Sequence, residues 1–580
     1  MAPSTDNNND KESTMTRLYC HHVPQWQRFQ TNLIQPTQQV SIRDDSDQIH
    51  PYQRQYAHVY HQRLQALAPH CWDSVKQQQQ QQQPLANRDD TSNPTSSSSS
   101  SSSNSSEYTH VSRILELQEN VPSIAVGTLV KESSSGKAKD ASTLVVAPSG
   151  DDTYDDDNNV KTTIHNTCRT TDVLYLEDES GRVALQPSAT ALPSHWVHHY
   201  PTGVVAAVQG TVGADGVMTV QAIYHATRSI EILPEAPAEQ GSPETAGFSE
   251  HNNNTMMNEE DNLNHAPLLL LLSGLQCGDA AASTLPRELL LTYLQGALGA
   301  EHLARRVCHV VIAGGLCHPL SSSGVSSCSS SLSPSSSSSS FILDRVAAVR
   351  ELDAFLFGLA ALGLPVDVVP GRDDPTTANW PQRPLHRSLL KQTNRYFASA
   401  PSSSLVHSTP NPYAAQLEIK LDDSSPNDTK ATVPKMRMIG TDGLNVHDLQ
   451  QHVVNDNGTA PIAELDALQK TLEWGHLCPT GPDTVPTAPH AEQDPMVLLP
   501  CLEGGNDDDD DKNGSDVLPQ LYFCGNATEF ATRRVNVTTK GNHPSQTVRL
   551  VCIPKFAETS TAVLVNVKTL EVELLKFQVF

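Results

Sequence analysis

The chain has 580 residues and a formal net charge of −26. That length accommodates about three domains of roughly 150 residues, but long Gln, Ser and Asp tracts reduce the expectation to two folded domains with insertions and tails. The acidic balance excludes a protein whose main surface grips nucleic acid, because neutralising phosphates takes clustered Lys and Arg; a local basic patch, or a basic DNA-gripping partner alongside, stays compatible with it.

Residues 1–50 are polar and rich in Gln, Asn and Asp, and are expected to be a disordered tail. Over 52–76 Tyr52, Tyr56, Val59, Tyr60, Leu64 and Leu67 recur at spacings of three and four. This is one face of a helix that docks on the core and that Pro69 should end. The Gln run at 77–83 and the Ser run at 96–106, broken by Asn104, make 77–106 a low-complexity linker.

From 107 to 233 the pattern is one of short strands. Residues 123–130 alternate like a strand, and an acidic, Ser-rich insertion follows through Asn159. Residues 173–185 are two apolar runs around Asp-Glu-Ser-Gly, and 203–210 and 217–223 flank an Ala-Asp-Gly turn. About five short strands with Gly-bearing turns and no strong helix predict a small closed barrel, most simply an OB-fold. Such barrels often hold single strands on aromatic and basic residues. These strands carry few of either, which favours a structural or protein-binding role.

Residues 234–266 read as a linker, and 267–580 as a second domain with a Ser-rich insertion at 321–340 and an acidic one at 503–516. The pure Leu run 268–272 is a buried strand, 288–298 a helix, 307–315 another buried strand ending in Gly, 341–362 a helix, and 365–369 a third strand. Alternating strand and helix predict a layered α/β sheet. Later, 522–526 is a strand ending in Gly-Asn, and 548–553, 562–567 and 574–580 are three strand-like segments that would complete a second sheet. Asp507–Asp511 reads as a solvated loop, with a metal-binding acid run as the alternative. The eleven Cys form no C-x-x-C pair, the N-terminus has no apolar leader core, and no apolar run reaches a membrane span of ~18 residues, so a reducing compartment without a membrane is expected.

The functional question centres on 364–386, where the third strand turns at Pro370-Gly371 and presents Asp373 and Asp374. Strands that each end in a Gly-bearing loop resemble calcineurin-like metallophosphoesterases, in which two metals activate a bridging hydroxide. That resemblance implies Asp-x-His after the first strand, Gly-Asp after the second, Gly-Asn-His after the third and a late Gly-His-x-His. The chain has Ser273-Gly274-Leu275, Ala313-Gly314-Gly315, Pro370-Gly371-Arg372-Asp373 and Cys524-Gly525-Asn526-Ala527 instead. Asp279, Asp373, Asp374, His476 and Asp483 are left as candidate ligands. They do not fill two coordination spheres, and Arg372 opposes a dication. No catalytic, cofactor-binding or metal-ligating set is therefore assigned, and Pro370-Gly371 with Asp374-Pro375 is expected to fix a turn. His386 and His476 read as packing or hydrogen-bonding residues, and Trp380 as packing beneath its loop.

Taken together, widely spread residues resemble the family of small (second, accessory) subunits of eukaryotic DNA polymerase delta. They include Arg54-Gln-Tyr-Ala-His-Val-Tyr60 with Arg63-Leu64, Leu176-Glu-Asp-Glu179, Thr202-Gly203, Leu272-Ser-Gly-Leu275 and Pro365-Val-Asp-Val368 with Pro370-Gly371. Asp374-Pro-Thr376, Pro381-Gln382, Pro384-Leu-His386, Thr409-Pro-Asn-Pro-Tyr413, Pro479-Thr480 with Pro482-Asp-Thr484, Asp494-Pro495, Tyr522-Phe-Cys-Gly-Asn526, Pro554-Lys-Phe556 and Phe577-Gln-Val-Phe580 continue the match. Departures are Gly315, where the family has Asn, Arg372, where it usually has Glu, and Gly440-Thr-Asp-Gly-Leu-Asn445. The resemblance implies an OB-fold barrel joined to a layered, calcineurin-like phosphoesterase domain without metal ligands, in an α+β or α/β fold. It also implies a nuclear, non-enzymatic scaffold for replication and repair synthesis, without a cofactor. The implied partners are the C-terminal metal-binding domain of the polymerase delta catalytic subunit, a third subunit, through these the sliding clamp and DNA, and also polymerase zeta. The competing readings are an active metal-dependent phosphoesterase or nuclease, and the equivalent second subunit of polymerase alpha or epsilon.

Overall fold

The computed structural model describes residues 31–34, 56–81, 108–133, 166–193, 195–227, 229–234, 266–279, 281–299, 301–318, 337–397, 405–419, 435–489, 494–498, 518–538 and 545–577. The acidic insertion before Asn159, most of the 234–266 linker, the bulk of the 321–340 Ser tract and the 503–516 insertion lie outside the described residues. Within the segment expected as a tail, Thr31–Ile34 is a strand, β1, antiparallel to residues 416–419. The first helix, α1, spans Ala57–Gln81 and contains Pro69, which corrects the expectation that this proline ends it and carries helix into the Gln tract. An interior proline removes one helical hydrogen bond at a cost of roughly 3 kcal/mol. Leu67, Cys71 and Val75, buried against the barrel on both sides of Pro69, offset that cost.

The barrel is built from β2 (Thr109–Val111), β3 (Pro122–Ser133), β4 (Asp172–Glu177), β5 (Arg182–Pro187), β6 (Val204–Val212) and β7 (Val217–Tyr224). The order is β2-β3-β4-β5-β7-β6, and an additional β3–β6 pairing closes it. Only β2–β3 and β5–β7 run parallel; the other pairs are antiparallel. Alternate residues Leu174 and Leu176 of β4, and Val183 and Leu185 of β5, point into the core, as a period of two requires. β3, β4, β5, β7 and β6 form the closed five-strand ring that the turn spacing predicts, and β2 pairs on β3 as a sixth strand. β8 (Ser229–Ile232) then leaves the barrel and pairs with residues 535–538.

The second body begins with β9 (Leu268–Leu272), followed by α2 (Leu285–Leu294), α3 (Glu301–Arg306), β10 (Val307–Ala313), α4 (Ser337–Ala361), β11 (Val366–Val369), α5 (Lys391–Phe397), β12 (Val406–Ser408), β13 (Tyr413–Ile419) and β14 (Lys435–Thr441). α6 (Leu444–His452), α7 (Glu464–Trp474), β15 (Leu521–Ala527), β16 (Ala531–Thr538), β17 (Gln546–Pro554), α8 (Phe556–Thr559), β18 (Thr561–Asn566) and β19 (Val572–Lys576) complete it. The helix predicted at 341–362 starts earlier, at Ser337 within the Ser tract, and the one predicted at 288–298 is shifted to Leu285–Leu294. The three closing strands do not complete one sheet: β17 lies inside a seven-stranded sheet of order β1-β13-β14-β15-β17-β16-β8. β18 and β19 instead extend a six-stranded sheet of order β12-β11-β10-β9-β18-β19.

The Leu run shows why the layers form. Leu269 and Leu271 belong to the core between the two sheets, with Tyr413, Met438, Phe523 and Val551 opposite. Leu268, Leu270 and Leu272 belong to the core on the other face, with Leu290 of α2 and Leu352 and Leu356 of α4. A strand covered on both faces favours apolar residues along its whole length, and full burial of each Leu is worth roughly 1.5–3 kcal/mol. The other face of the seven-stranded sheet joins α6, α7 and the barrel in one continuous core. β9, β10 and β11 are parallel, as are β14, β15 and β17. The loops at the C-terminal ends of these strands converge.

Candidate functional site

Five strand ends meet where an α/β sheet ordinarily presents its site. Ser273, after β9, donates its hydroxyl to the Ala313 carbonyl at 2.6 Å and accepts the Asn526 amide at 2.6 Å. Asn526 sits at φ 52° and donates through Nδ2 to the Asp442 carbonyl at 2.9 Å. Gly314 and Gly315 have φ of 72° and 62°, a region that favours glycine. A Cβ on Gly315 would overlap Asn526 Oδ1 and lie 2.9 Å from Gly274 Cα, and one on Gly371 would lie 2.7 Å from the Gly315 nitrogen. Backbone thus packs closely on backbone where these strand ends meet.

The carboxylates at these strand ends serve the loops themselves. Asp374 accepts amides from Gly371 at 2.7 Å, Cys317 at 2.8 Å and Leu316 at 3.2 Å. Burial pushes its pKa up to about 7, against the pull of those three donors. Asp442 accepts Asn411 Nδ2 at 2.9 Å and the Arg372 amide at 3.0 Å, and burial raises its pKa as well. Asn411 also donates to Gln382 at 2.8 Å, and Gln382 donates to the Gly371 carbonyl at 3.1 Å. Between the sheets, Asp367 of β11 accepts from Tyr413 Oη at 2.7 Å and lies 3.1 Å from His309 Nε2 and 3.2 Å from His407 Nδ1. Burial would raise its pKa, but His309 and these hydrogen bonds hold it below the ordinary carboxylate range.

The five candidate ligands do not gather. Asp373 is exposed, and only its carbonyl is engaged, by Arg345 Nη1 at 2.7 Å. Asp374 is spent on amides as described. Asp279 lies 3.7 Å from His318 Nδ1. Asp483 is exposed near Tyr60 of α1, whose pKa burial and this carboxylate both raise. His476 is buried 2.9 Å from Asp494, which also binds Arg63 Nε at 3.1 Å. Arg63, only 1% exposed, donates further to the carbonyls of Gly203 at 3.2 Å, Pro479 at 2.7 Å and Gly481 at 2.8 Å. It joins α1, the barrel and the second body at one point. Burial, reinforced by Arg63, lowers the His476 pKa to about 4. Trp380 is fully buried beneath its loop, and His386 is exposed with Nδ1 2.7 Å from Ser388 Oγ.

Among the described residues, the one triad of donors close enough to share a metal is Cys168, Asp172 and His198 on the barrel side, which the sequence reading did not single out. Lys131 Nζ lies 3.5 Å from Cys168 Sγ and donates to the His452 carbonyl at 2.6 Å. A cation there would meet an ammonium. Nothing in a spacing of four and twenty-six residues marks this triad in sequence, and an arginine on an apolar helix stripe marks the Arg63 junction only in retrospect.

Residues 55–223 match the family model of the DNA polymerase delta subunit OB-fold domain, and residues 269–502 match that of the B-type subunit of DNA polymerases alpha and epsilon. A DNA polymerase delta small subunit of Arabidopsis thaliana is 30% identical over 472 residues, covering 80% of this chain and 84% of that protein. One of Oryza sativa subsp. japonica is 29% identical over 476 residues, covering 80% and 86%. A Drosophila melanogaster protein named DNA polymerase delta subunit 2 is 28% identical over 408 residues, covering 70% and 74%.

Proposed function

The chain belongs to the family of DNA polymerase delta small subunits, and on that premise we propose that it works as a scaffold whose former strand-end site performs no chemistry. As an accessory subunit of polymerase delta in DNA replication, it partners other polymerase components. In this reading the catalytic subunit's C-terminal metal-binding domain and the third subunit dock on the barrel and on the layered second domain. The boundaries are a barrel at 107–233 and a calcineurin-like phosphoesterase body at 267–580 without metal ligands. The complex acts in the nucleus; among the described residues no helix is long and apolar enough to cross a membrane.

The observation that carries the non-catalytic reading is the close approach of Gly371 to Gly315, where a Cβ on Gly371 would lie 2.7 Å from the Gly315 nitrogen. Further support comes from Asp374 and Asp442, whose carboxylates are consumed by amides. The facing seven- and six-stranded sheets support the layered, calcineurin-like reading.

The test is purification of the tagged full chain from nuclear extract, with its polymerase catalytic partner identified. Recovery of the delta catalytic subunit is expected; recovery of only alpha or epsilon would overturn the assignment. The same protein, incubated with manganese and a phosphodiester, should show no turnover. Stoichiometric metal together with turnover abolished by Asp373→Ala would overturn the scaffold reading.

A further inference from the structure

The chain's acidic balance is interrupted over residues 375–417. Between Asp374 and Glu418 there is no Asp or Glu, and Arg383, Arg387, Lys391 and Arg395 recur there at every fourth position. All four are exposed. Among the described residues, none of their side chains enters an ion pair or hydrogen bond with the protein. Lys391 and Arg395 share one face of α5, about 6 Å apart along its axis.

The strip is held in place from below. Leu385 and Leu390 are buried in the core beneath α4. Trp380 is fully buried, and Gln382 donates to the carbonyls of Gly371 and Thr377. Asp353, a carboxylate from α4 that reaches the strip, is itself buried. It caps the start of α5, accepting the Gln392 amide at 2.6 Å, the Thr393 amide at 3.1 Å and the Thr393 hydroxyl at 2.7 Å. It therefore does not neutralise the four cations.

We propose that Arg383, Arg387, Lys391 and Arg395 form a sequence-independent contact for the phosphate backbone of DNA. A protein partner would call for an apolar anchor at the centre of its footprint, and no large exposed hydrophobic side chain lies among described residues 383–395. Backbone phosphates require only cations and polar donors on a rigid support. His386, Ser388 and Gln392, all exposed between the cations, supply such donors. The contact sits on the second body beyond β11, and its place beside a replicating polymerase rests on the family reading.

The test is fluorescence anisotropy of the full chain with a labelled mixed-sequence duplex of about 30 base pairs, across about 50–200 mM salt. The variant replaces all four cations with Ala. Its log affinity against log salt should be shallower than wild type by about 3.6, and its affinity at the low-salt end at least about tenfold weaker. A variant with the three arginines changed to Lys should retain most of the binding. An unchanged slope in the Ala variant, or wild-type binding of a poly-glutamate peptide without binding of DNA, would overturn the proposal. Copurification of the Ala variant with its polymerase partners is scored separately. Failure of assembly would count against the family reading, and failure of the salt slope against this strip.

Discussion

Gly315 faces Asn526 so closely that a side chain on the glycine has no room, because a Cβ there would overlap the Asn526 amide oxygen. The backbone at Gly315, with φ 62°, lies in the left-handed region that favours glycine over alanine. Gly315→Ala should therefore lower stability by about 1–3 kcal/mol, read from urea denaturation of the full chain. Gly216→Ala provides the contrast, since its φ is also positive and nothing lies near its Cβ. If the two variants lose the same stability, the closed packing of the strand ends contributes nothing.

Asp374 gives a pH signature. In the folded chain it keeps its proton up to about pH 7, whereas unfolded aspartate loses it near 4. Between those values the folded state binds more protons than the unfolded one, so stability falls as pH rises through that window. Asp442, also raised by burial, contributes with the same sign. Asp374→Asn should flatten the decline, by at most about 1.4 kcal/mol per pH unit. Denaturation midpoints of both proteins at about pH 5 and about pH 7.5 decide it; parallel lines would contradict the assignment.

Arg63 should be the costliest single residue of α1. Arg63→Met leaves the buried Asp494 carboxylate without its guanidinium and strands three carbonyl acceptors. A loss of about 3–5 kcal/mol is expected. Hydrogen exchange should accelerate together in α1 and around residues 479–481, because both depend on the same side chain. Acceleration confined to α1 would show that the junction is held by other contacts.

Pro69→Ala should stabilise the chain by up to about 3 kcal/mol, since it restores a donor inside α1 without touching the buried stripe. A thermal melt is sufficient; no gain would mean that the neighbouring turns have fully adapted to the proline.

Much of this architecture is legible in local pattern, and the exceptions have physical causes. The all-Leu run announces a strand buried on both faces, and the turn spacing over 173–223 announces a barrel, because both signals are local. α1 defeats the local rule, since burial of Leu67, Cys71 and Val75 overrides the proline between them. β1 is invisible because what makes it a strand is the edge of β13, nearly four hundred residues later. At the strand ends the glycines are plain in the sequence, but their mutual contact is not. The pairing of Arg63 with Asp494 spans 431 positions and leaves no motif.

The order in which β9 finds its neighbours bears on how the protein is made. β10 becomes available soon after β9, but β18, its other neighbour, arrives ~290 residues later. At ordinary translation speeds, about 5–20 residues per second, the leucine strand emerges with one edge open for roughly 15–60 s. A nascent chain stalled or truncated before Thr561 would present that edge indefinitely, so biogenesis of this protein depends on shielding a five-leucine strand until its C-terminal strands have been synthesised.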